Sequence, residues 1–291
     1  MIKAIVMDMD GTLLDPNNKI LNETKEALIH LEKQGVRLIL ASGRSYTRLI
    51  PYAKELLMDQ YNGYLIEVDG ISIYDLGKNE RHVLKTMDEK DMEIIFPYLM
   101  SLDIESMACF DDGMFDYIPE SIYKIKAELR KEMNVSDDFP WTGGPWGWLA
   151  DTRDGYPKIT YLKSWHEIQG PINKIQILQE EKNLKKYYEE IKQHFQGQYE
   201  IFRTCPRQLE ILPLGYDKGK TLSRIMQENH WNQDEVLAFG DGENDVSMFD
   251  YVTYGFAMGQ AREYVKEKAA FITSSNIEQG IYAALKKLNL V

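Results

Sequence analysis

Asp8 and Asp10 stand two residues apart in Asp8-Met9-Asp10-Gly11-Thr12, directly after the apolar run Ala4–Met7. Carboxylates at that spacing can project the same way from a strand end, and Gly11 lets the chain turn sharply away from them. Gly240-Asp241-Gly242-Glu243-Asn244-Asp245 follows another apolar run, Val236–Phe239. If the two runs are neighbouring strands, Asp241 and Asp245 converge on Asp8 and Asp10, and such a repulsive group needs a cation to share one cleft. Oxygen-only ligands point to magnesium, because zinc is marked by His and Cys. The alternative for each cluster is a solvated acidic turn beside glycine. Counted together, the two clusters favour the metal.

Two further groups suit phosphate. Ser42-Gly43-Arg44 ends the run Val36–Ala41, and a hydroxyl with free backbone N–H groups at a helix start can hold phosphate oxygens. Ser-Gly before a helix is also an ordinary capping sequence. Lys218-Gly219 sets a cation beside a flexible residue, within reach of a phosphoryl group and the carboxylates, although most lysines are merely solvated. His30, His82, His166, His194 and His230 form no ligand-spaced pair and read as surface or packing residues. The stretch Trp141-Thr142-Gly143-Gly144-Pro145-Trp146-Gly147-Trp148 could stack on a sugar or ring, but reads more simply as packing within a small domain.

These groups need a frame. The three apolar runs are nearly continuous, as buried strands of a parallel sheet covered on both faces require. Between the first two, Ile20, Thr24, Ala27, Leu28 and Leu31 recur at helical spacing and Gly35 follows at a C′ position, giving a βαβ unit. Further helices are predicted from near Ser45 through Leu56, from Lys218 through Met226, at Ala261–Lys268 and at Gly280–Leu288, the last two flanking the short apolar piece Ala270–Ile272. Strand and helix alternate. The middle of the chain differs, with helices predicted at Asp88–Leu102 and Asn183–Phe195 and a hairpin whose arms, Gln198–Arg203 and Gln208–Leu212, flank Thr204–Arg207. At 291 residues the chain suits a core carrying an inserted α+β domain.

Composition removes other classes. With 44% hydrophobic and 27% charged residues, a collagen-like or largely disordered chain is excluded. The formal charge of −12 opposes nucleic acid and anionic lipid as partners. No run approaches the ~18 apolar residues of a membrane span. Asp8 and Asp10 break the N-terminal run too early for a signal peptide. Cys109 and Cys205 are too few for a disulfide framework or a Cys-based zinc site, which suits a reducing cytoplasm.

The DxDGT of Asp8–Thr12, the hydroxyl-Gly-Arg of Ser42–Arg44, Lys218-Gly219 and the GDxxND of Gly240–Asp245 together resemble the haloacid dehalogenase (HAD) superfamily, specifically its Cof-like phosphatases with a type IIB cap. Order and spacing agree along the whole chain. The resemblance implies an α/β fold: a Rossmann-like HAD core with a parallel sheet over 1–83 and 214–291, and an inserted α+β cap over 84–213 that supplies selectivity. It implies Asp8 as nucleophile and Asp10 as general acid and base. Magnesium would be held by Asp8, the Asp10 backbone carbonyl and Asp241, with Asp245 assisting. Met9 (through its N–H), Ser42, Gly43, Lys218 and Asn244 would bind the phosphoryl oxygens. The implied activity is magnesium-dependent hydrolysis of small phosphorylated metabolites, sugar phosphates foremost. A phosphotransferase or mutase on the same scaffold, or a non-catalytic binding protein, are the alternatives. The chain departs from the family where Asn-Gly is usual and Asp69-Gly70 stands, and where Glu-Asp-Gly is usual and Glu278-Gln279-Gly280 stands; neither is expected to touch the core chemistry.

Three rivals fail on residues. A P-loop would need Gly where Leu214 stands, and a dinucleotide-binding fingerprint would need Gly where Asp245 stands. A cysteine phosphatase would need Arg where Phe115 or Ile211 stands. Oligomeric state is not legible in the sequence.

Overall fold

The computed structural model describes residues 1–136, 138–140, 151–205 and 207–291, the Cys205 side chain excepted. The Trp141–Trp148 stretch lies outside the described residues. The first segment lays down β1 (Ala4–Asp8), α1 (Asn22–Lys33), β2 (Arg37–Ala41), α2 (Tyr46–Glu55), β3 (Tyr64–Glu67), β4 (Ser72–Asp75) and β5 (Glu80–Val83). The middle adds α3 (Glu89–Ser101), β6 (Glu105–Phe110), β7 (Gly113–Tyr117), α4 (Glu120–Glu132), β8 (Lys158–Tyr161), β9 (Lys174–Leu178), α5 (Glu181–His194), β10 (Tyr199–Cys205) and β11 (Gln208–Pro213). The last adds α6 (Lys218–Glu228), β12 (Val236–Gly240), α7 (Val246–Phe249), β13 (Tyr254–Ala257), α8 (Glu263–Lys268), β14 (Phe271–Ile272) and α9 (Gly280–Lys287). These form two compact units, Met1–Leu84 with Tyr216–Val291, and Lys85–Gly215. No helix among the described residues is long and apolar enough to cross a membrane.

The discontinuous unit is built on one sheet in the order β14-β13-β12-β1-β2-β3-β4-β5. It is parallel from β14 to β3, and β4 and β5 add antiparallel at the edge. The central strands read as unbroken apolar runs because both faces are covered. Ile5, Met7, Leu38, Leu40, Leu237 and Phe239 join one cluster with Leu28 and Leu31 of α1. The alternate residues Ala4, Val6, Ile39, Ala41, Val236 and Ala238 join the other with Leu222 and Ile225 of α6. The helix α1 stops where expected, with Gly35 at φ +94°, a conformation that costs glycine little. Because β1 pairs with β12 in the register Met7 to Phe239, the residues just beyond, Asp8 on one strand and Gly240-Asp241 on the other, share the carboxyl end of the sheet.

One acid in this unit is at odds with its surroundings. Glu32 on α1 is only 2% exposed, and neither carboxyl oxygen has a hydrogen-bond partner among the described residues. Burial, and secondarily the charge of Asp59, push its pKa up to about 8. The folded state therefore holds this proton more tightly than the unfolded chain. The group's contribution is fully present below the ordinary glutamate value and is lost as pH rises through about 8. Glu32→Gln removes the penalty. Urea unfolding should show the variant gaining on the parent by about 3–4 kcal/mol between pH 5 and pH 8, and parallel pH profiles would contradict this.

The continuous unit has a six-stranded sheet in the order β10-β11-β9-β6-β7-β8, antiparallel except between β7 and β8. The hairpin predicted around residues 204–207 is β10 and β11, with Arg203 opposite Leu209. Ile95, Phe96 and Leu99 of α3 and Leu184 and Ile191 of α5 pack with Ile175, Ile177, Leu209 and Ile211. The alternate strand positions carry buried charge, with Lys174 of β9 2.7 Å from Glu210 of β11 and Glu105 of β6 paired with Lys126 of α4.

Candidate active site

Asp8 is the last residue of β1 and is 7% exposed. At the end of the neighbouring β12, Asp241 follows Gly240, and the chain then turns through a short 3₁₀ segment, Glu243–Asp245. Asp245 folds back on that turn: its Oδ2 accepts from the N–H groups of Asp241 at 3.0 Å and Gly242 at 2.9 Å. A Cβ on Gly240 would come 2.4 Å from the Asp245 Cβ, so glycine is needed for this return. Gly11 is required in the same way, at φ +89° with an added Cβ 2.4 Å from Asp241 Oδ2. Thr12 Oγ1 donates to Asp241 Oδ1 at 3.0 Å. The expected convergence holds for three of the four acids: one oxygen each from Asp8, Asp241 and Asp245 lie within 4.8 Å of one another, and Asp10, expected to join them, does not.

Lys218, the first residue of α6 and fully buried, bridges this group. Its Nζ donates to Asp8 Oδ1 at 2.6 Å and to Asp245 Oδ1 at 2.7 Å. Burial works against the ammonium, but Asp245 and Asp8 more than offset it and raise the Lys218 pKa well above its ordinary value. Burial first, then Asp245, raise Asp8 despite that lysine, and the same two causes push Asp241 up to about 7. One buried cation does not neutralise three carboxylates.

Asp10 behaves differently. Its side chain is half exposed and lies outside the three-acid group, taken in a fork by Arg44, whose Nε donates to Asp10 Oδ2 at 2.9 Å while the terminal NH2 reaches Oδ1. Arg44 also donates to Asn18 Oδ1 at 3.0 Å and lies over the Tyr52 ring. Ser42, just beyond β2, is buried, and its Oγ accepts from the Arg44 N–H at 3.2 Å. Gly43 sits between them in the loop to α2. The Met9 side chain is buried in the core, and its carbonyl accepts from Leu13 and Leu14. The start of α2 is partly occupied, because Glu67 Oε2 accepts from the Tyr46 N–H at 2.8 Å.

The haloacid dehalogenase-like hydrolase family model matches residues 5–145 and 148–285. The chain belongs to that family. A 5-amino-6-(5-phospho-D-ribitylamino)uracil phosphatase of Bacillus subtilis is 26% identical over 98% of this chain and 95% of its own. A pyridoxal phosphate phosphatase of Escherichia coli is 25% identical over 97% and 98%. Among solved structures, a HAD subclass IIB sugar phosphatase superposes with a TM-score of 0.73 at 22% identity, covering 99% of this chain and 100% of that one. The mixed α/β fold, with a HAD core and an inserted α+β domain, is thus shared.

For this HAD-family chain, a second expectation needs correction. Asp69 was expected to lie apart from the chemistry, yet it is 1% exposed and its Oδ1 accepts from Asn244 Nδ2 at 2.8 Å, 4.0 Å from Lys218 Nζ. The position of Asp69 in the sequence carries no sign of what packs over it. The Arg44 fork, the Thr12 hydrogen bond and the tie to Asn18 were likewise not anticipated. Thr12 and Arg44 stand inside motifs already singled out, whereas Asn18 carries no signal of its own.

Proposed function

We propose that this chain is a magnesium-dependent phosphatase of small phosphorylated metabolites, sugar phosphates foremost, acting in the cytoplasm through an aspartyl phosphate on Asp8. The observation that carries the reading is the bridge from Lys218 Nζ to Asp8 and Asp245, with Asp241 completing an oxygen-only group within 4.8 Å. The upward shifts of Asp8 and Asp241 mark a site short of positive charge, so the donors suit a hard divalent cation. Asp8, the Asp10 carbonyl and Asp241 would hold magnesium, with Asp245 assisting. Bound there, the ion neutralises charge on the transferring phosphoryl group.

The residues then divide the work. A carboxylate oxygen of Asp8 attacks phosphorus, needing no separate base, and the bond to the leaving oxygen breaks. Asp10 gives its proton to that oxygen, then takes one from the water that attacks the phosphorus of the aspartyl phosphate, which restores Asp8 and releases inorganic phosphate. In the structure Arg44 takes both Asp10 oxygens in one fork, so Asp10 must leave that fork to carry the proton. Lys218, Ser42, Asn244 and the N–H groups of Met9 and Gly43 receive the phosphoryl oxygens. The net charge of −12 disfavours polyanionic substrates such as nucleic acid.

The test is release of inorganic phosphate from p-nitrophenyl phosphate. EDTA should lower the rate by about a hundredfold or more and added magnesium should restore it. Equal rates with and without chelator would reject the metal, and no phosphate release with magnesium present would reject the phosphatase. A panel of phosphorylated metabolites, assayed the same way, identifies the substrate.

A further inference from the structure

Asp69 is buried between two residues that the proposed reaction assigns to the phosphoryl group. Its backbone is fixed first: the Asp69 N–H donates to the Ser42 carbonyl at 2.9 Å, and the Val68 N–H to the Arg44 carbonyl at 3.1 Å. Thr221 Oγ1 of α6 donates to the Gly70 carbonyl at 2.6 Å. Val68, Asp69 and Gly70 all have positive φ, of 45°, 55° and 107°, a run that a β-branched residue enters only when its surroundings hold it there. The turn is thereby pinned at once to the loop carrying Ser42 and to the helix beginning at Lys218. A carboxylate placed there without water is stabilised by its neighbours or not at all, and those neighbours include the Asn244 amide at 2.8 Å and the Lys218 ammonium at 4.0 Å.

We propose that Asp69 is a positioning residue for the phosphoryl pocket, acting through Asn244. The inference rests on the phosphatase reading and deepens it. An amide NH2 carries two hydrogens. Asp69 accepts one, which fixes the plane of the Asn244 side chain, and the second remains for a phosphoryl oxygen. Without that acceptor the amide turns freely about its last bond, and the donor is no longer held ready for phosphate. The 4.0 Å separation from Lys218 Nζ makes the effect on that lysine secondary, since Asp8 and Asp245 hold it directly.

The experiment compares Asp69→Ala, Asp69→Asn, Asn244→Ala and the Asp69→Ala/Asn244→Ala double variant, reading the inhibition constant of inorganic phosphate with magnesium present, KM and kcat separately, and the melting temperature. Asn keeps an oxygen acceptor and tolerates positive φ, so it serves as the conservative rescue. Asp69→Ala should weaken phosphate inhibition by about tenfold and raise KM more than it lowers kcat, while Asp69→Asn should stay within about threefold of the parent. In the Asn244→Ala background the Asp69→Ala change should add less than about twofold. Independent, additive effects of the two alanines overturn the proposal, as does an Asp69→Asn variant that melts with the parent yet binds phosphate as poorly as Asp69→Ala. A parent with no magnesium-dependent turnover would instead remove the phosphatase reading itself, so the two failures are distinguishable.

Discussion

Asp8→Asn is expected to lose phosphate release by about 10⁴-fold or more while keeping its fold. The neutral amide is a poor nucleophile and forms no acyl phosphate, so the loss falls on the chemical step. The change should not harm the structure. Asp8 sits 7% exposed beside Asp245 and Asp241, and burial with the nearby Asp245 charge already pushes its pKa up. An amide oxygen can still accept from Lys218, and one negative charge leaves a crowded site. Melting of the magnesium-free variant at pH 8 should therefore match or exceed that of the parent. Near-normal turnover by a cleanly folded Asp8→Asn protein would falsify the nucleophile assignment, and a collapse of the fold would show that the carboxylate is chiefly structural.

The parts of this molecule that were legible in sequence are those in which one physical demand acts on consecutive residues. β1, β2 and β12 are covered on both faces, so Ala4–Met7, Leu38–Ala41 and Val236–Phe239 are apolar without a break and the runs stand out. The acids that follow are conspicuous because the chain leaves the core at that point. By contrast α4 escaped notice. Its buried residues are Ile122 and Lys126, and the lysine turned inward onto Glu105 is a residue type that a sequence reading places in solvent. β3 and β4 are only four residues each, too short for alternation to be distinguished from a buried turn. Within the site, Asp241 and Asp245 were readable as ligand candidates because their spacing is local. The roles of Asp69 and Arg44 were not, because they depend on side chains 175 and 34 residues away, a pairing set by the order of strands in the sheet.

Lys218→Met should cost the fold more stability than the Asp8→Asn change does. The lysine is fully buried, and its ammonium holds Asp8 and Asp245 together through charge-assisted hydrogen bonds of 2.6 and 2.7 Å. Methionine fills similar volume but leaves two facing carboxylates without that cation. Breaking a buried pair from one side typically costs about 3–5 kcal/mol. The pH dependence follows from the same charges. Lys218 has a raised pKa in the folded protein, so the ammonium itself stays charged through the acid and neutral range and deprotonates only in strong alkali. In the variant, Asp8 loses the one neighbour that lowered its pKa and takes up a proton more readily. The stability deficit should accordingly be smaller at pH 5 than at pH 8, where deprotonation forces the carboxylates together. Magnesium should recover part of that deficit at pH 8, because a divalent ion supplies charge to the same oxygens, but turnover should stay at least about 10³-fold down because phosphoryl oxygens lose a donor that the ion does not replace. Lys218→Arg should not rescue either property, since a planar guanidinium is larger than the fully enclosed ammonium site. Chemical denaturation at both pH values, with and without magnesium, decides the matter: a variant as stable as the parent at pH 8 without the ion would mean that the three acids do not need a cation, and the reading of this cluster as a charge-balanced phosphoryl-transfer site would be wrong.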